Sequence, residues 1–225
     1  MCGRFTSSQR REAIGERFEV AVPETYSERY NLAPQQRALI VRGREGERDA
    51  VMAKWGLLPH WAKDSKIAFK MINARAETLG EKPAYRSLLT RHRCLVPADG
   101  FYEWRKDPDG KRPVWITLPN RELFAFAGLW SESKDDDGSD LVSCTIITTE
   151  PTEEMRPIHN RMPVILPRDA EATWLAPDAD PKVLGELLGP GPEGLEFREV
   201  GDLVNSVSND SPELIEPYVP EPKLF

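Results

Sequence analysis

From residue 93 to residue 149 the chain alternates short apolar, β-branched runs with turn residues, and this rhythm constrains the fold more than any other feature. Residues 93–105, 113–118 and 123–130 read as strands of a meander, broken by the turn signals Asp107-Pro108-Asp109-Gly110 and Pro119-Asn120. Residues 141–149 form a further strand-like run, and 163–166 and 196–200 are shorter ones. Upstream, residues 38–42 and 49–55 read as two strands joined by the charged turn at 43–47. Arg29-Tyr30-Asn31-Leu32-Ala33-Pro34 reads as a non-helical connector, because Pro34 biases its predecessor away from the α region. The helical signals are few. Ser7 or Ser8 can cap a helix running to about Glu19, and helices are expected near residues 83–89, 168–175 and 181–188. The Pro-containing segment 212–225 is expected to lie on the surface as a tail. With no repeat and no long linker, the pattern predicts one α+β domain over residues 1–225, with a curved, barrel-like, mostly antiparallel sheet and a few peripheral helices.

Composition excludes several function classes. No apolar run approaches membrane-spanning length, and nothing near the start has the pattern of a signal peptide. The three cysteines, Cys2, Cys94 and Cys144, form no C-x-x-C pair, so a reducing cytoplasm is the expected setting. None of His60, His92 and His159 stands in H-x-x-x-H spacing, so no metal site is expected. A net charge of −7 argues against coating nucleic acid by bulk attraction, while Arg86, Arg91, His92 and Arg93 allow a local basic cleft.

The chemistry-bearing stretch is Met1-Cys2-Gly3-Arg4-Phe5-Thr6. Once Met1 is removed, Cys2 carries an α-amine and a thiol on adjacent carbons, with ordinary pKa values of roughly 8 and 8.5. Such a 1,2-aminothiol condenses with an aldehyde. The amine gives a Schiff base, and the thiol closes a five-membered thiazolidine on the same carbon in an intramolecular step. If the segment is extended, Arg4 projects to the side of Cys2.

Four other positions invite a role. In Phe101-Tyr102-Glu103-Trp104, alternation puts Glu103 on the face of Phe101, where desolvation would raise its pKa toward general-acid use. His159 lies in a loop entering a strand and suits proton transfer near neutral pH. Asn73 can hydrogen-bond the backbone or amine of Cys2, and an extended run over 71–78 would place Asn73, Arg75 and Glu77 on one face. Trp55 and Trp61 could stack on unpaired bases, though core packing should claim at least one of them. Arg4, Arg75 and Arg161 could meet phosphates. Taken singly, each residue also has an ordinary structural reading as core, turn or surface charge.

In combination, the sequence resembles the SRAP (SOS-response-associated peptidase) family. The matching pieces are the Cys2 start, Arg29-Tyr30-Asn31-Leu32-Ala33-Pro34, Trp55-Gly56-Leu57-Leu58-Pro59-His60-Trp61, and Asn73-Ala74-Arg75-Ala76-Glu77-Thr78. They continue with Pro97-Ala98-Asp99-Gly100-Phe101-Tyr102-Glu103-Trp104, Ile158-His159-Asn160-Arg161-Met162-Pro163 and Val204-Asn205-Ser206. The resemblance implies a covalent sensor of abasic sites in single-stranded DNA, linked through Cys2 as a thiazolidine. It implies a positioning role for Asn73, acid–base roles for Glu103 and His159, and a DNA surface containing Arg4, Trp61, Arg75 and Arg161. It also implies a monomer, no cofactor, and N-terminal peptidase and lyase-type activities. An N-terminal-nucleophile amidohydrolase and a noncovalent single-strand binder remain the alternatives that the residues alone leave open.

Overall fold

The computed structural model of the chain describes residues 2–44, 47–62, 64–108 and 110–219. Met1, parts of the two turns expected at 43–47 and 107–110, and the end of the expected tail lie outside the described residues. The elements run β1 (Phe5–Ser7), α1 (Arg11–Phe18), β2 (Arg29–Leu32), β3 (Arg37–Arg44), β4 (Glu47–Trp55), β5 (Asn73–Arg75), α2 (Pro83–Arg91) and β6 (Arg93–Ala98). They continue with β7 (Gly100–Asp107), β8 (Gly110–Thr117), β9 (Phe124–Lys134), β10 (Asp140–Thr149), β11 (Met162–Pro163), β12 (Ile165–Leu166), α3 (Glu171–Leu175), α4 (Pro181–Glu186) and β13 (Glu196–Glu199).

Strands β10, β4, β3, β6 and β9 pair in that order and β9 returns to β10, closing a five-stranded barrel. The β10–β4 contact is parallel and the other four are antiparallel. A second sheet runs β13-β8-β7-β1-β2, so the N-terminal strand lies between two neighbours rather than at an edge. The fold is the α+β, barrel-like arrangement that the strand rhythm predicts.

Alternation divides the core. Leu39, Val41, Leu95, Ala127, Leu129 and Ile147 cluster with the helix residues Ile14, Phe18, Leu88 and Trp174. The intervening positions, among them Ile40, Val96, Phe126, Cys144 and Ile146, cluster with Phe5, Leu32, Phe101, Val114 and Ile116 of the second sheet. Cys2 belongs to this second cluster. At roughly 25 cal/mol per Å² of apolar surface removed from water, such side chains supply most of the stabilisation holding β1 in place. Tyr102, Trp115, Val200 and Val204 form a third cluster on the other face of the second sheet.

Several local expectations change. Residues 93–105 are two strands in different sheets, because Asp99 and Gly100 switch the chain between them. A Cβ at Gly100 would lie 2.3 Å from the Trp115 indole nitrogen, so a side chain there would force the sheet apart. Ser8 does not cap the first helix. Its backbone N–H and hydroxyl both donate to the buried Asp99 carboxylate, which also accepts from Arg121 at 2.9 Å. Ser7 is in β1 and Arg10 stands at the cap position of α1, so the polar groups tie the sheet switch rather than start the helix. Residues 29–32 form strand β2 instead of a plain connector, since β1 supplies a pairing edge.

The expected surface tail begins with an anchor. Residues 212–215 make a 3₁₀ turn that buries Leu214 and Ile215 in the third cluster, where their apolar area outweighs the proline signal. Just before it, the segment around Val204–Asp210 is clamped onto β2. Asn31, fully buried, donates through its amide to the carbonyls of Val204, Ser206 and Asn209 at 3.2, 3.0 and 2.8 Å. Asp210 accepts from the backbone of Tyr30 and Asn31 at 2.6 and 2.9 Å. Replacing Asn31 with alanine should destabilise the fold by at least about 2 kcal/mol, because buried carbonyls lose their donor. In a chain of this size that corresponds to a melting temperature lowered by roughly 4–8 °C, measurable by thermal unfolding. Among the described residues no helix is long and apolar enough to cross a membrane.

Candidate functional site

Four separate segments bring chemistry to residue 2. The first is the N-terminal strand itself. Phe5 pairs with Phe101 and the Tyr102 N–H donates to the Arg4 carbonyl at 3.0 Å. Continued outward, that register sets Gly3 across from Glu103. The second is β5, which pairs in parallel with β10, Asn73 beside Ile146. Asn73 therefore takes the same side as Ile146, and its Nδ2 donates to the Cys2 carbonyl at 2.7 Å. The asparagine's Oδ1 is also buried and has no partner among the described residues, leaving a carbonyl oxygen to accept from an N–H.

The third segment is β7. Glu103 shares its face with Phe101 and is 4% exposed, while Tyr102 and Trp104 pack in and against the third cluster, as alternation predicts. Burial pushes the Glu103 carboxyl above the ordinary range, opposed in part by its electrostatic interaction with His159. The fourth is the loop carrying His159. Its turn is pinned by Met155, fully buried, whose carbonyl accepts from the N–H of both Ile158 and His159 at 2.9 and 3.0 Å. The His159 Nδ1 lies 3.0 Å from the Arg161 N–H and 3.1 Å from the Arg161 carbonyl. A neutral ring accepts from the first and an imidazolium donates to the second, so one position serves both protonation states.

The Cys2 thiol differs from its ordinary state. Cys2 is 0% exposed; burial drives its thiol strongly upward, and the Glu103 charge adds to the shift. The expected standing fraction of thiolate is therefore absent at neutral pH, and sulfur can attack only as its proton is handed to a neighbour. Arg4 does not sit beside this thiol as a cation. Its guanidinium donates to Asn31 Oδ1 at 2.9 Å and to the carbonyls of Val204 and Asn205 at 2.7 and 3.4 Å, and lies over Trp104. Twist and packing turn it toward the third cluster, where it latches the N-terminal strand to the C-terminal clamp.

The remaining candidates divide. Trp55 is fully buried, its indole N–H donating to the Ile72 carbonyl at 2.8 Å, so it is core. Gly56 behind it has φ +137°, and a Cβ there would meet the Ala68 carbonyl oxygen at 2.7 Å, so the chain can turn this tightly only with glycine. Past that turn, Trp61 is 52% exposed. Arg75 is exposed on β5, whereas Arg161 donates from both terminal guanidinium nitrogens to Glu77 at 2.6 and 3.0 Å. The face expected to hold Asn73, Arg75 and Glu77 ends early. A 3₁₀ turn at Ala76–Thr78 takes Glu77 out of the strand and to Arg161. The basic group near residue 90 is no single cleft. Arg93 is buried and donates to the carbonyls of Leu89, Thr90 and Trp174 at 2.6 Å each, closing helix ends. Phe69, 64% exposed in the 3₁₀ helix Ser65–Lys70, is absent from the sequence-based candidates; its one signal is an aromatic set between Lys66 and Lys70.

Known proteins share both the sequence and the fold. The family model described as SOS response associated peptidase (SRAP) matches residues 1–207. The abasic site processing protein YoqW of Bacillus subtilis (strain 168) is 48% identical over 224 residues, covering 97% of this chain and 100% of the relative. The abasic site processing protein HMCES of Gallus gallus is 34% identical, covering 85% of this chain and 67% of its own length. A crystal structure of a Bacteroides thetaiotaomicron protein aligns with a TM-score of 0.88 and 25% identity, covering 97% of this chain and 100% of that one. The barrel, the second sheet that buries the N-terminal strand and these matches lead to one conclusion: the chain belongs to the SOS response associated peptidase (SRAP) family.

Proposed function

We propose that this chain processes abasic sites in single-stranded DNA by capturing the lesion's aldehyde on Cys2 once Met1 has been removed. The observation that carries this reading is the convergence on residue 2 of the Asn73 amide, a desolvated Glu103 and, within reach of Glu103's charge, His159. Relatives named abasic site processing proteins support the same substrate. All four residues come from one chain, so a single copy suffices.

The chemistry balances without a cofactor. The abasic sugar opens when its ring oxygen gains a proton and its anomeric hydroxyl loses one. A protonated Glu103 suits the first transfer and His159 the second. The Cys2 amine then adds to the aldehyde and water leaves, giving an imine. The sulfur forms a bond to the imine carbon while its proton ends on nitrogen, closing the thiazolidine. No electron is gained or lost overall. Asn73 acts by holding the Cys2 carbonyl, which limits the rotation of the aminothiol and raises its effective concentration at the sugar. Trp61, Phe69 and Arg75 offer stacking and phosphate contacts that are indifferent to base sequence. Removal of Met1 by the chain itself would give the peptidase activity of the family's name.

The test is a single-stranded oligonucleotide with one abasic site, incubated with protein and run on a denaturing gel. A retarded band is expected with the abasic strand and none with the intact one; equal bands, or none, would end the proposal. Noncovalent affinity should fall with salt at a slope of about −0.7 per phosphate neutralised. Arg75→Ala should make that slope shallower by about the contribution of one phosphate, read by fluorescence anisotropy from 50 to 200 mM salt.

A further inference from the structure

Arg161 carries the geometry of a support rather than that of an open phosphate ligand. Its fork is closed on Glu77 through two parallel bonds, and Nη2 also donates to the Thr148 carbonyl at 2.6 Å. Its Nε is buried, without a partner among the described residues, and the side chain is 14% exposed. A DNA phosphate could take both arms only by evicting the carboxylate. The same residue's backbone meets the His159 ring at one nitrogen, Nδ1, with its N–H at 3.0 Å and its carbonyl at 3.1 Å.

From this we infer that Glu77 is a positioning residue for His159: it fixes the Arg161 side chain against β10, and so the backbone that aims the imidazole.

Three observations converge on it. Glu77 follows Asn73 by four residues, across the 3₁₀ turn that ends β5, so the carboxylate is carried by the segment that holds the Cys2 carbonyl. The bidentate pair fixes direction as well as distance, as a single lysine contact would not. Arg161 also keeps the Glu77 carboxyl below the ordinary range through its hydrogen bonds, so the pair stays charged across neutral pH. Through Glu77 and Arg161 the two halves of the site, Asn73 with Cys2 and His159, are braced against one strand, β10. Neither residue needs to touch the reacting sugar.

The inference rests on the crosslinking reading, and the experiment separates the two. Single-turnover adduct formation is measured against abasic oligonucleotide concentration for wild type, Glu77→Ala and Glu77→Asp, with thermal unfolding of each. Glu77 is half exposed on a short turn, so alanine should leave the melting temperature within a few degrees. Glu77→Ala is expected to lower the saturating rate by about tenfold or more, because a small misplacement of an acid–base group is costly. The half-saturating concentration should stay within about twofold. Aspartate, which can still reach one arm of the guanidinium, should recover most of the rate.

An unchanged rate for Glu77→Ala, with or without tighter binding, overturns the inference; tighter binding would mean that Glu77 merely blocks an arginine meant for phosphate. A rate loss matched by an equal loss of affinity overturns it too, as the mark of a missing DNA contact. Wild-type protein that forms no adduct refutes the crosslinking reading itself. Wild type that crosslinks beside a Glu77→Ala that matches it refutes only this assignment.

Discussion

Replacing Cys2 with alanine should abolish the denaturation-resistant adduct while leaving noncovalent affinity for single-stranded DNA within about twofold. The α-amine survives in this variant, so the imine can still form. It cannot close the ring, and it hydrolyses when the gel denatures the protein. Adding borohydride to the reaction should therefore trap a stable amine with Cys2→Ala, as it would not if residue 2 took no part. Ring closure is intramolecular, with effective concentrations that reach 10⁵ M or more in well-oriented cases, so loss of stable adduct should exceed about a thousandfold. Cys2 is fully buried and small, which confines the change in packing to one sulfur atom. An adduct at wild-type yield without borohydride would place the chemistry elsewhere. Failure of the borohydride trap would point to an amine that forms no imine and serves only as the thiol's base, as in an N-terminal-nucleophile amidohydrolase.

How much of this site could be read from the sequence depends on whether a residue's partner is local. Glu103 was legible because strand alternation is a local rule: Phe101 marks the buried face, and the carboxyl two residues on must share it. The aminothiol of Cys2 was legible as chemistry. Its thiol's strong upward shift was not, because that depends on β1 being enclosed between β2 and β7, a fact of topology. Arg4 and Arg161 looked alike as surface cations. Their carbonyl and carboxylate partners come from Val204, Asn205 and Glu77, up to 201 residues away, and no pattern along the chain predicts them. Ser8 failed for the same reason, since Asp99 outcompetes the helix for its hydroxyl. At the level of fold, the strand rhythm carried the class and the antiparallel bias, because turns and alternation are short-range. It missed the switch at Asp99, because one uninterrupted β-run can serve two sheets, and only the crowding at Gly100 reveals where it crosses.

Glu103→Gln should slow adduct formation while making the protein more stable at neutral pH, and the two opposite signs come from one cause. Burial raises the Glu103 carboxyl, so the folded chain holds its proton to higher pH than the unfolded chain does. Between the ordinary glutamate value and the raised one, the folded state binds more protons, and stability falls as pH climbs through that window. Glutamine is neutral at every pH and lacks this loss. The variant's melting temperature should therefore exceed that of wild type at pH 7 and converge toward it near pH 4. Catalysis runs the other way. The protonated acid that opens the sugar is what the raised value preserves, and glutamine has no proton to give, so the rate should drop by about a hundredfold. The pH profiles carry the sharper distinction. In wild type the rate should carry an acid limb, where the Cys2 amine is protonated, and an alkaline limb, where Glu103 is ionised, whereas Glu103→Gln should keep the first and lack the second. A variant that is slower yet retains the alkaline limb would assign that limb to another group.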